Sequence, residues 1–164
     1  MFRLRELIVA GCLVPALFGF PVTARAQSQA QSQNAVSGER QTDEPVLREY
    51  RGIKIGMTLD EVHQKLGDPK EKSDRLDIYT FSDSETAQIY YDESKKVMAI
   101  AVIYTGRDNN APTAKAVLGT DVQPRPDGSA YLMIRYPKAG YWVSYSRTAG
   151  EEPIVTVTMQ RMVP

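Results

Sequence analysis

Residues able to do acid–base or metal chemistry are few in this sequence. Its 164 residues include one histidine, His63, and one cysteine, Cys12. A zinc site usually takes four His or Cys ligands, so these two residues cannot supply one without several carboxylates. The sequence contains no phosphate-cradling glycine loop, no Gly-x-Ser-x-Gly and no His-Glu-x-x-His. We therefore predict a protein that is not an enzyme and binds neither a metal ion nor a cofactor.

The acidic pairs do not indicate a catalytic carboxylate pair. They lie at 60–61, 92–93 and 151–152, at a predicted helix start, a turn and a position before a proline. Local structure explains each of them. His63 lies beside the apolar stripe of the same helix, where we expect a surface residue; a pH-sensing role is the alternative.

The aromatic residues remain, and their chemistry is recognition. The chain has nine tyrosines and one tryptophan. Tyr and Trp are enriched at binding hot spots. Strand alternation favours placing Tyr90, Tyr104 and Trp142 on one uncovered sheet face. We predict these three as protein-binding residues. Rim packing is the alternative, because a one-residue shift in register exchanges the two faces.

The overall charge indicates no preference for a polyanion. Twenty basic residues balance twenty acidic ones, so nothing predicts binding to nucleic acid or to an anionic membrane surface. A hydrophobic content of 42% is enough for a core. The length fits one domain or two small ones.

The N-terminus has the pattern of an export signal. Arg3 and Arg5 precede an apolar stretch at 7–20, and Ala-Arg-Ala at 24–26 is typical of a cleavage site. We predict a signal peptide over 1–26. One alternative is lipidation at Cys12, because the preceding residues resemble a bacterial lipobox; a chain cleaved from its signal would be membrane-attached only if it were lipidated there. Another is an uncleaved N-terminal anchor. The polar stretch 27–45 is predicted to be a disordered linker.

The most strongly signalled element is a helix over 58–67. Thr58 and Glu61 have the spacing of a capping box. Gly67 supplies a C-cap, and Pro69 prevents continuation. An apolar stripe along one side of this helix requires a covering partner.

The rest of the globular part alternates short strands with turns. We predict a unit over 46–106 and a second, diverged unit over 107–164, because a shift of about fifty residues aligns their strands. Chance similarity of two strand-rich halves is the alternative. The expected fold class is α+β, with two tandem helix-plus-three-stranded antiparallel meander units and the helices on one face of the sheet. Ala101 and Ile103 are expected on the helix-covered side. The predicted strands are 76–81, 87–91, 97–105, 131–136, 141–146 and 154–160, with a second helix at 112–118.

The region 53–104 resembles the SmpA/OmlA/BamE family of bacterial envelope proteins. The resemblance rests on Gly-Ile-Lys-Ile-Gly-Met-Thr at 52–58, Glu-Val at 61–62, Leu-Gly-x-Pro at 66–69, Tyr79 and Val97. It implies a helical segment packed on a three-stranded antiparallel sheet. The tandem plan is similar to the β-lactamase inhibitor protein, which binds its target enzyme on an aromatic-rich concave sheet.

The resemblance also implies a function. It predicts an exported, periplasmic or secreted protein-binding module that assists outer-membrane or envelope protein assembly, with another envelope or secreted protein as partner. The alternative is a proteinaceous inhibitor of a secreted enzyme. An outer-membrane lipoprotein is the alternative localisation.

Overall fold

A computed structural model describes residues 44–107 and 109–163. The predicted signal peptide, Cys12 and nearly all of the predicted linker lie outside these residues. In the part of the chain that is described, no helix is long and apolar enough to cross a membrane.

One antiparallel sheet dominates the described structure. Its strands run in the spatial order β1-β2-β3-β4-β7-β6-β5, and every neighbouring pair is antiparallel. The strands are β1 Glu71–Lys72, β2 Leu76–Ser82, β3 Glu85–Tyr91, β4 Val97–Tyr104, β5 Ala130–Tyr136, β6 Tyr141–Arg147 and β7 Val155–Arg161.

The predicted fold class is wrong, because the chain does not form two helix-plus-three-strand units. The strands form a single seven-stranded sheet, and the two helices are short: α1 Leu59–Leu66 has eight residues and α2 Ala114–Leu118 has five. Strands β4 and β7 pair through six consecutive residue pairs, so one hydrogen-bonded ladder crosses the supposed boundary. A five-residue helix is also too short to cover three strands by itself.

The helix predicted over 58–67 is confirmed, with Thr58 and Gly67 as its caps. The Thr58 hydroxyl accepts from the Glu61 backbone N–H, and the Glu61 carboxylate accepts from the Thr58 N–H at 2.7 Å. Gly67 has a φ of +76°, where a side chain would be strained. Val62, on the apolar side of this helix, is fully buried.

The core lies on one face of the sheet, which we call the covered face. Both helices pack there together with the lead-in 44–57. The core cluster includes Ile89, Ile100, Val143, Val157 and Met159 from the strands and Val62, Val117 and Leu118 from the helices.

Ala101 and Ile103 lie on the opposite face, contrary to the prediction. A register irregularity at Tyr90/Tyr91 pairs Tyr90 with Ala99 but Tyr91 with Val97. The extra residue changes which positions of β4 point inward. The nearly continuous apolar run of β4 gives no alternation from which this could be deduced.

Candidate functional site

The candidate site is the sheet face opposite the core, which we call the open face. Strand register arranges its side chains in three rows across six strands, from β2 to β5. The first row is Leu76, Tyr90, Ala99, Gln160, Trp142 and Arg135. The second row is Ile78, Gln88, Ala101, Thr158, Ser144 and Met133. The third row is Thr80, Thr86, Ile103, Thr156, Ser146 and Tyr131.

The core cluster contains none of these eighteen residues, although it contains buried residues of both helices. Most of the eighteen are partly or fully exposed; Ala99 and Ser144, at 6% each, are buried between larger neighbours. The helices and the lead-in thus pack on the covered face, and their buried residues do not contact this one.

The open face is nearly free of charge. Nine of its residues are apolar or aromatic, eight carry a hydroxyl or an amide, and Arg135 alone carries a charge. At the chain's average of 24% charged residues, a set of eighteen would contain about four. Ordinary solvent-facing strands use charge for solubility, whereas the centres of protein interfaces are depleted of it.

The smallest side chains of this face lie on β4. Ala99 pairs with Gln160 of β7, and Ala101 pairs with Thr158. Tyr90 of β3 stands on one side of them and Trp142 of β6 on the other. Three strand spacings of about 4.8 Å separate the backbones of β3 and β6 by about 14 Å. The two alanines of β4 therefore lie between two aromatic residues, with Gln160 separating Ala99 from Trp142.

Tyr90 and Trp142 lie on the open face, where the sequence analysis placed them. Both are partly exposed. The Tyr90 hydroxyl donates to Gln88 Oε1 at 2.7 Å, which fixes its ring against β3 and limits the entropy it would lose on binding.

Tyr104 is not part of this face. It is 8% exposed and belongs to the core cluster. In the sheet it lies opposite Glu85 and Val155 on the covered face, and burial raises its pKa. The predicted grouping of Tyr104 with Tyr90 and Trp142 is corrected accordingly, and the cause is the same register irregularity that reverses β4.

Several residues of the open face are additions to the prediction. Leu76 and Ile78 flank it on β2, and Met133 and Tyr131 flank it on β5. Tyr131 is 53% exposed, which is high for a tyrosine on a strand. The alternation Leu-x-Ile-x-Thr in β2 is the sequence signal from which Leu76 and Ile78 could have been predicted on this face.

A polar network lies on the covered face and includes His63, whose side chain remains 27% exposed at the protein surface, where it was predicted. His63 Nε2 lies 2.8 Å from Asp77 Oδ2, and the Tyr91 hydroxyl donates to the same oxygen at 2.8 Å. Asp77 is 1% exposed. Burial and this hydrogen bond raise the Tyr91 pKa. The three groups attach α1 to β2 and β3, which is a structural role.

A metal site is not supported by the described residues: among 44–107 and 109–163, no three His, Cys, Asp or Glu side chains cluster in a way that could hold an ion. Comparison with protein-family models, with curated proteins and with solved structures finds no match for this chain. The resemblance to the SmpA/OmlA/BamE family therefore stays a prediction.

Proposed function

We propose that this protein is a non-enzymatic module that binds another protein through the open face. The observation that carries this proposal is the composition of that face: eighteen contiguous positions with a single charge. Depletion of charged residues together with exposed aromatic residues is the composition found at the centres of protein interfaces.

The shape of the side chains supports binding of a polypeptide. The small side chains of Ala99 and Ala101 let a partner segment approach β4 closely, while Tyr90 and Trp142 contact its sides. Aromatic anchors surrounded by contacts that exclude water are the organisation of interface hot spots. The hydroxyl and amide groups of Thr158 and Gln88 would supply hydrogen bonds beside the two alanines.

The proposed setting is the cell envelope or the secreted fraction. This rests on the export pattern at 1–26, and the proposed partner is another envelope or secreted protein. Assistance in envelope protein assembly is the role that the resemblance adds to this proposal.

Affinity capture from the native envelope, followed by mass spectrometry, would identify the partner. Binding of that partner is then measured with Trp142→Ala and Tyr90→Ala. We expect each variant to weaken binding by about tenfold or more, as for interface hot spots, with the fold retained.

The matched control is Val46→Ala, a 52% exposed apolar residue of the lead-in, which packs on the covered face. It should bind as the unaltered protein does. Equal binding by all three variants, or capture of no partner at all, would contradict the proposal. Loss of a specific enzyme activity in the captured partner would instead favour the inhibitor alternative.

A further inference from the structure

The two edges of the sheet are built differently. The β1 edge is a strand of two residues, Glu71 and Lys72, and both are exposed and charged. A short, charged edge strand is a known protection against pairing with other chains. The β5 edge has seven residues, Ala130–Tyr136, with one charge and no proline.

The β5 edge is also regular, and no strand of the described residues pairs with its outer side. Strand β5 pairs with β6 at seven consecutive positions without a register shift. Among residues 44–107 and 109–163, the backbone hydrogen bonds outside the ladders reach β5 only at the Tyr136 carbonyl, in the turn to β6. Its outward N–H and C=O groups therefore form an open row, and Tyr131 beside them is 53% exposed.

We infer that β5 pairs with β5 of a second copy of this chain, antiparallel and with the two-fold axis at Met133. In this register, Met133 faces its own counterpart. Tyr131 faces Arg135 of the second copy, twice by symmetry. Leu132 faces Ile134, and Ala130 faces Tyr136, on the covered side.

The register is complementary at each pair. The Arg135 guanidinium lies across from an exposed tyrosine ring, which suits a cation–π contact. Two Arg135 side chains never oppose each other. The covered-side pairs are apolar and would extend the core of each copy.

The inequality of the edges also limits the assembly to two copies. Head-to-tail pairing of β5 with β1 would join seven residues to two, and would set Ile134 or Tyr136 beside the charges of Glu71 and Lys72. A closed pair through β5 leaves the protected β1 edge at both ends. Both open faces then lie on the same side of one fourteen-stranded sheet.

The first test is the mass of the purified chain in solution, by sedimentation equilibrium over a range of concentrations. We expect a dimer. Tyr131→Lys places a lysine opposite Arg135 of the second copy and should weaken dimerisation by about tenfold or more, since like charges facing each other across an interface are unfavourable. Adding Arg135→Glu to that variant pairs opposite charges and should restore the dimer.

The matched control is Ile154→Lys, which adds the same charge at an exposed position outside β5. Circular dichroism confirms the fold of each variant. A monomer at all concentrations, an assembly larger than two, or a dimer insensitive to Tyr131→Lys would overturn the inference.

A second test measures the register directly. Paired residues in an antiparallel ladder have Cα atoms about 4.5–5.5 Å apart, within the range of a disulfide. In a Cys12→Ser background, Met133→Cys should form a cross-linked dimer under mild oxidation. Ser146→Cys should form no cross-link. Ser146 lies on β6, one strand further from the axis in each copy, so two strand spacings are added to the distance between the two cysteines. Absence of the Met133→Cys cross-link would contradict this register.

Discussion

Tyr90 and Tyr91 are neighbours in β3 and serve opposite faces of the sheet. The Tyr91 side chain is 1% exposed, and its hydroxyl donates to the buried Asp77. The Tyr90 side chain is partly exposed, and its hydroxyl donates to Gln88 on the open face. The same residue type thus contributes to the core on one face and to a proposed binding surface on the other.

The two faces of the sheet differ in the same way as these two tyrosines. The covered face holds the helices, the buried carboxylate and the core cluster. The open face holds eighteen residues, and neither helix of the described part of the chain packs on them. Substitutions on the covered face should therefore change the free energy of unfolding, and substitutions on the open face should lower affinity for a partner.

The largest effect on stability is expected for Asp77→Ala. This change leaves the buried Tyr91 hydroxyl and the partly exposed His63 Nε2 without their shared acceptor. Leaving a buried hydroxyl unpaired costs up to about 3 kcal/mol. Urea unfolding would measure the loss.

The comparison needs two controls. Asp77→Asn keeps an acceptor oxygen and should lose less stability than Asp77→Ala. Gln88→Ala removes a polar side chain from the adjoining strand on the open face and should change the free energy of unfolding by less than about 1 kcal/mol. Equal losses from Asp77→Ala and Gln88→Ala would break the distinction between the faces.

Alkaline unfolding should also depend on the covered face. Burial, with the nearby Asp77 charge, raises the pKa of Tyr79 from 10.0 to about 12. The folded state therefore keeps this proton to higher pH than the unfolded state, which releases it from about pH 10. Stability is complete below that pH and is lost as the pH rises towards about 12.

The measurement is the free energy of unfolding between pH 8 and pH 12. Tyr79→Phe removes one of the titrating groups, with Tyr91 and Tyr104 remaining, and should make the decline shallower, by on the order of 2 kcal/mol at the upper end. Its neutral-pH stability also changes, because the hydroxyl donates to the Gly67 carbonyl at 3.2 Å, so slopes rather than absolute values are compared. If Tyr79→Phe leaves the slope of the free energy of unfolding against pH unaltered, the titration of Tyr79 does not contribute to alkaline unfolding.

The contrast between the faces also explains what the sequence could predict. Helix α1 was predictable because its capping box, stripe and C-cap are local and agree with one another. Tyr90 and Trp142 were predictable because β3 and β6 alternate regularly. Tyr104 was not, since β4 is apolar at nearly every position and its register depends on an irregularity against β3.

The single sheet and the buried network are non-local, which is why the sequence did not reveal them. The β4–β7 ladder joins residues more than fifty positions apart. His63 and Asp77 lie on different elements, fourteen residues apart, and no local pattern connects a helix residue to a carboxylate within a strand.

A smaller effect is expected at the start of α1, on the covered face. Thr58→Ala removes the hydroxyl that accepts from the Glu61 N–H and should cost about 1 kcal/mol, as for other N-caps. Thermal unfolding would measure it. Thr58→Ser keeps the hydroxyl and should be nearly neutral. A loss from Thr58→Ser as large as that from Thr58→Ala would show that the cap is not the cause.

The smallest effect tests whether the covered face is completely packed. A cavity of about 80 Å³ lies between the lead-in, α2 and the central strands, and Val102 is among its lining residues. Val102→Ile adds one methylene to this space and should raise the free energy of unfolding by about 0.5 kcal/mol. Val143→Ile is the matched control, because Val143 is fully buried and does not line the cavity, so its extra methylene should destabilise by overpacking. Opposite signs for two identical substitutions would locate the unfilled space beside β4, whereas a loss from both would show that the covered face has no room to spare.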